Sequence, residues 1–230
     1  MKILGALALG ALAIACGPSP SANDKPVELQ GLDRDPSSGC AAADRNPDGL
    51  CYPTGDIAVA PRRTTDQGME WGSRLPNLGF VGFRRGVARE APEATTIRLA
   101  DYYDPGARRA NVLVIALQVA WCYLSPRLSD LLETSPPDVA VLQVLLEGPL
   151  IGVPATLGDL ATFGRATSTT EVGIGPDVLF RETNGRGYPE ILIVDPRSME
   201  LLEVVAGIDY QIVDRLQRWK DSLAQTPPRP

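Results

Sequence analysis

Cys122 is the residue in this chain whose type and setting point most directly to chemistry. It stands in Trp121-Cys122-Tyr123-Leu124-Ser125-Pro126, directly after the apolar run Val112-Leu113-Val114-Ile115-Ala116-Leu117. A cysteine placed where a strand gives way to a helix faces the unpaired N–H groups of the first helical turn and the positive end of the helix dipole. Both favour the thiolate and bring the thiol below its free pKa of about 8.5. Such a thiolate attacks disulfides to give a mixed disulfide, which a second cysteine nearby resolves. Three residues on, where a Cys-x-x-Cys pair would place that second cysteine, the chain has Ser125. Serine can donate a hydrogen bond to a thiolate but cannot form a disulfide. The site therefore reads as a monothiol resolved by an external thiol, or as one that holds partners covalently without turnover. An inert, buried small side chain is the alternative for Cys122.

The elements that must position this cysteine are legible in the hydropathy pattern. The run 111–119 is almost continuously apolar, as in a central strand covered on both faces. Ser125 as N-cap and Pro126 at the first position predict a short helix over 125–132, stopped by Ser135-Pro136-Pro137. A second buried strand is predicted over 139–146 and a helix over 156–166. Val178-Leu179-Phe180 reads as a short strand, and 190–195 and 199–205 as two strands across a turn at Pro196-Arg197. Residues 209–223 form an amphipathic helix with Ile212, Val213, Leu216, Trp219 and Leu223 on one face. Upstream, 78–83 and 95–99 read as an N-terminal hairpin. Arg84-Arg85 and Arg108-Arg109 read as solvated loop charges, and Trp219 as core.

The N-terminus speaks to location. Met1-Lys2 precedes an apolar stretch from Ile3 to Ala15, too short to span a bilayer and matching a signal peptide over 1–15. Ala13-Ile14-Ala15-Cys16 resembles the lipobox of bacterial lipoproteins, in which Cys16 is acylated and becomes the new N-terminus. That resemblance implies a lipid anchor in the bacterial cell envelope. Gly17 after the cysteine fits an outer-membrane destination facing the periplasm. Residues 16–70 are rich in Pro, Ser, Asp and Gly and read as a tether passing into irregular structure. Within it, Cys40 and Cys51 flank an Asn46-Pro47-Asp48-Gly49 turn, and an oxidising envelope favours a disulfide between them. Two free thiols, or pairing of one of them with Cys122, are the alternatives. Asp44-Arg45-Asn46-Pro47-Asp48-Gly49 begins like a calcium loop, but Gly55 stands where the bidentate glutamate belongs, so a plain turn is favoured.

Composition removes several function classes. The chain has 230 residues, 44% of them hydrophobic, and a net charge of −6. That is enough for one domain with a proper core. An acidic chain without a basic cluster is poorly suited to nucleic acid. There is no histidine, which excludes a histidine base or a histidine-ligated metal. No Gly-rich phosphate loop follows a strand, no carboxylate pair for hydrolysis stands out, and neither metal nor cofactor is implied.

Residues 71–225, read as one domain before a short disordered tail at 226–230, resemble the thioredoxin-like superfamily, in particular the membrane-tethered redoxins of bacterial envelopes. Three features carry the resemblance. They are the apolar strand ending in Trp121-Cys122, the segment Gly187-Tyr188-Pro189-Glu190-Ile191-Leu192-Ile193-Val194-Asp195, and the strand pair with terminal helix that follows. It implies an α/β fold with a central mixed sheet flanked by helices, here extended by the N-terminal hairpin. It further implies a cis peptide bond at Pro189 beside Cys122, with Trp121, Tyr123, Leu124 and Tyr188 flanking the site, and protein thiols or disulfides as partners. Two departures argue against ordinary dithiol catalysis. The acid common in thioredoxins six positions before the cysteine is Ala116, and Tyr123-Leu124 replaces the usual Gly-Pro. No peroxiredoxin-type Pro-x-x-x-Thr/Ser pattern precedes Cys122. A thioredoxin-like binding module without redox turnover is the competing reading.

Overall fold

In the computed structural model, residues 40–53, 74–84, 93–163, 170–175 and 187–226 are described. The leader, Cys16 and the strand expected over 178–180 lie outside them. Seven strands form one mixed sheet: β1 Gly79–Phe83, β2 Thr95–Arg98, β3 Val112–Val119, β4 Val139–Glu147, β5 Thr170–Ile174, β6 Glu190–Asp195 and β7 Glu200–Ala206. Their order is β2-β1-β5-β4-β3-β6-β7. Strands β3, β4 and β5 run parallel, while β6 and β7 turn antiparallel on the other side of β3. Helices α1 Leu124–Leu132, α2 Leu157–Phe163 and α3 Ile212–Gln225, with short 3-10 helices at Ala42–Asp44 and Leu99–Tyr102, complete the described elements. A parallel β3-α1-β4 unit joined by β6-β7-α3 is the core of a thioredoxin-like α/β fold.

All eight residues of β3 are buried, which is why its sequence does not alternate. Val112, Val114 and Ala116 face α1 and α3 and pack with Leu128, Leu132, Leu216 and Trp219. Leu113, Ile115, Leu117 and Val119 face the other way, into a cluster with Phe80, Leu99, Cys122 and Tyr188. The two apolar layers clamp β3 in the middle of the sheet. The loop that follows it therefore leaves from a fixed point.

The hairpin β1-β2 is antiparallel, with Phe80 opposite Ile97, and joins the main sheet through β5. The sequence reading did not include β5, although Thr170, Val172 and Ile174 alternate along it. The strand is only five residues long and holds Gly173, so its local signal is weak. Glycine is required at the junction: a β-carbon on Gly82 would lie 2.0 Å from the Val172 carbonyl oxygen.

Several local expectations are corrected. α1 begins at Leu124, one residue earlier than predicted, and its N-cap is Tyr123, which makes no side-chain capping bond. Ser125 is inside the helix because its N–H already closes a turn on the Cys122 carbonyl (3.0 Å). Pro126 is tolerated there since N–H groups of the first turn have no helical acceptor. Arg84 is not a solvated charge: it pairs with Asp101 (2.6 Å) and Glu171 (3.3 Å). Arg109 donates to the Tyr103 carbonyl (2.6 Å) and lies 3.6 Å from Asp48. Arg197 in the β6-β7 turn is buried, gripping Asp195 and donating to the carbonyls of Leu223 and Thr226.

Cys40 and Cys51 are joined by a disulfide. The short loop that it closes has no core of its own and leans on the domain. Tyr52 packs edge-on against Tyr103 and donates its hydroxyl to the Leu75 carbonyl (2.9 Å). The Asn46 side chain accepts from the N–H groups of Asp48 and Leu50 and donates to the Tyr103 carbonyl (3.0 Å). Asn46 thus serves as the hub of a turn. No group of residues among those described could hold a metal ion.

Candidate functional site

The end of β3 and the start of α1 hold Cys122 by three backbone bonds. Its N–H donates to the Val119 carbonyl (3.3 Å), its carbonyl accepts from Ser125, and the Ala120 N–H donates to the Glu147 carbonyl on β4 (2.9 Å). The side chain is 1% exposed. Cys122 is disulfide-bonded in this structure.

Across from it, the Tyr188–Pro189 peptide bond is cis. The Cys122 sulfur lies 3.7 Å from the Tyr188 carbonyl oxygen. The Pro189 carbonyl in turn accepts from the Gly207 N–H (2.7 Å), so β7 holds this loop in place. Cys122 and Pro189, distant in sequence, are brought into one site.

Trp121 stacks edge-on against buried Tyr188, ring centroids 5.9 Å apart, and its indole N–H donates to Glu147 Oε2 (2.6 Å). The same oxygen accepts from the Gly152 N–H (2.8 Å). Leu124 is buried in the cluster that holds Cys122. Tyr123 is exposed, and the Arg127 guanidinium sits 5.9 Å from its ring centre, a cation–π approach. The Ser125 hydroxyl is buried and accepts from the Val119 N–H at 3.5 Å, which ties it to the end of β3. Ala116 lies on the opposite face of the sheet from Cys122.

Two carboxylates at the site escaped the sequence reading. Glu147 ends β4 and fixes both Trp121 and the loop after it. Glu190 follows Pro189 and is fully buried, opposite Leu117 in the ladder. It shares a sheet face with Leu192 and Val194, the face of Cys122. Its place directly after Pro189 was the available signal. For Glu147 there was none, because the pairing of β3 with β4 sets its meaning.

No protein-family model and no curated protein matches the chain. Solved structures with a similar chain path include an exposed lipoprotein thioredoxin from Streptococcus pneumoniae (18% identity, 63% of this chain and 98% of that one, TM-score 0.44). Others are a thioredoxin-like protein from Aeropyrum pernix (14%, 62% and 88%, 0.44) and the thioredoxin domain of a thiol-disulfide oxidoreductase from Bacteroides vulgatus (12%, 66% and 99%, 0.45). At these identities and scores no activity passes from them to this chain.

Proposed function

We propose that this thioredoxin-like chain is a lipid-anchored thiol-disulfide exchange protein of the bacterial envelope with Cys122 as its nucleophile. The observation that carries the reading is the approach of the Cys122 sulfur to the Tyr188 carbonyl at 3.7 Å. It sets a cysteine at a helix start against the loop of Pro189, where a bound polypeptide's own backbone would lie beside the sulfur.

In the exchange step the Cys122 thiolate attacks one sulfur of a partner disulfide. A bond forms between the two sulfurs, and the other partner sulfur leaves as thiolate. Ser125 cannot complete the cycle, so an external thiol attacks the mixed disulfide and returns Cys122 as thiolate. Ser125 holds the turn that carries Cys122, and Pro189 borders the groove. In the anchored protein, the Cys16 sulfur is a thioether with lipid and takes no part in exchange. The proposed anchor is in the outer membrane, with the domain facing the periplasm; among the described residues no helix is long and apolar enough to cross a membrane.

The test is trapping. After reduction by a dithiol and its removal, the protein is incubated with glutathione disulfide and the Cys122 peptide is weighed. A glutathione adduct on that peptide, absent in Cys122→Ser, supports exchange. An unmodified Cys122 in the folded protein, alongside full modification once it is denatured, overturns it. The anchor has its own test: Cys16→Ala moves the protein from the membrane to the soluble fraction.

The burial of Cys122 favours a second reading, a binding module that kept the fold and lost turnover. Unaltered partner capture by Cys122→Ser would select it.

A further inference from the structure

We infer that the groove between α1 and α2 docks a basic segment of the partner polypeptide whose disulfide Cys122 attacks. The inference rests on the exchange reading and names the partner's chemistry. The groove encloses about 500 Å³. Its apolar wall is Ala120, Pro126, Pro149 and Phe163, and the charges facing it are Asp130, Glu133 and Asp159; among the described residues no basic side chain lines it.

Asp130 on α1 and Glu133 at its C-cap stand three residues apart, where like charges repel. Neither has an ion-pair partner among the described residues. Asp159 faces them from α2, and hydrogen bonds from the Thr156 hydroxyl and N–H hold its carboxyl below the usual aspartate range. Three negative charges thus surround an apolar trough that no described residue of its lining neutralises. A lysine or arginine side chain fits this combination, its aliphatic stem on the proline and phenylalanine wall and its cationic head among the carboxylates.

The groove adjoins the turn that carries Cys122 along the chain, since Ala120 lines it two residues before Cys122. Ala120 immediately precedes Trp121-Cys122, and Pro149 opens the loop whose Gly152 N–H shares Glu147 with Trp121. Leu150 and Ile151 are exposed at that loop's tip. A segment lying in the groove therefore reaches the Cys122 turn within a few residues, placing a basic residue near the partner's reacting cysteine.

The experiment separates docking from exchange. Two cysteine-free fluorescent peptides, identical except that Lys and Arg in one are Glu in the other, are titrated with the full chain. The basic peptide binds on the order of tenfold more tightly, and the preference shrinks in added salt. It falls below about threefold in Asp130→Asn/Glu133→Gln and is kept in Asp214→Asn, an exposed carboxylate on α3. Equal affinities, or a preference unchanged in the double variant, would overturn the docking site. Reaction of Cys122 with glutathione disulfide is followed in parallel. Loss of that reaction with the peptide preference intact would sink the exchange reading and leave the groove as a binding site.

Discussion

The indole N–H of Trp121 donates to the carboxylate of Glu147 at 2.6 Å, tying the turn that carries Cys122 to the end of the neighbouring parallel strand. Because the same oxygen also accepts from Gly152, one carboxylate orders both sides of the site's rim. Removing it in Glu147→Leu leaves two donors without their acceptor, at a cost of about 1–3 kcal/mol each where water cannot replace it. Urea unfolding should show the loss. Glu147→Gln keeps an acceptor and should recover most of it; equal stability of the Leu variant and the parent would refute this role.

Arg197 and Asp195 form a buried pair (2.8 Å), and the same guanidinium caps the end of α3 through the carbonyls of Leu223 and Thr226. Arg197→Met leaves Asp195 charged and buried, a defect that typically costs about 3–5 kcal/mol. The double variant Asp195→Asn/Arg197→Met should be less destabilised than Arg197→Met alone. Chemical denaturation of the three proteins decides the matter, and additive losses would contradict the coupling.

The Cys40–Cys51 bridge closes a loop with a sequence separation of 11. In the chain-entropy account, a loop of this length is worth about 3 kcal/mol. Cys40→Ser/Cys51→Ser should lower stability by up to that amount and raise protease cleavage within 40–53. The rest of the domain, whose core lies elsewhere, should keep its circular dichroism. Unchanged cleavage would show that Tyr52 and Asn46 hold the loop without the bridge.

Asp104 gives the acid limb of stability a specific source. Burial opposes its ionisation, but the N–H groups of Arg109, Arg108 and Ala110 and the Arg109 charge outweigh it, so its pKa falls below the ordinary 3.8. A carboxylate with a depressed folded value contributes stability that is fully present above its unfolded pKa. That contribution is lost as pH falls through the folded value. Asp104→Asn should be less stable than the parent at pH 7 and should lose less between pH 4 and pH 2. Parallel pH profiles for the two proteins would rule this out.

How far the sequence reached differs from residue to residue. The apolar run of β3, the face of α3 from Ile212 to Leu223 and the turn after Trp121 were legible because each depends on neighbours a few positions away. Periodicity and turn chemistry report such local demands directly. The start of α1 was misplaced by one residue because Ser125 carries a capping side chain, while the backbone turn at Cys122 had already begun the helix. Arg84 and Arg109 differ from the sequence expectation because a charge beside a second arginine in a loop reads as solvated until its partners are known.

By itself, the sequence determined a cysteine at a strand-to-helix turn, with serine where a resolving cysteine would stand and a proline opening a later buried strand. Only the tertiary structure decided what surrounds that cysteine. Tyr188 reaches it across 66 residues, and Glu147 reaches Trp121 across 26. Such contacts follow from strand order and register, which the packing of two apolar faces selects for the whole sheet at once. No local pattern encodes them, and so the carboxylates at the rim, the acidic groove and the burial of the sulfur became visible only in the folded chain.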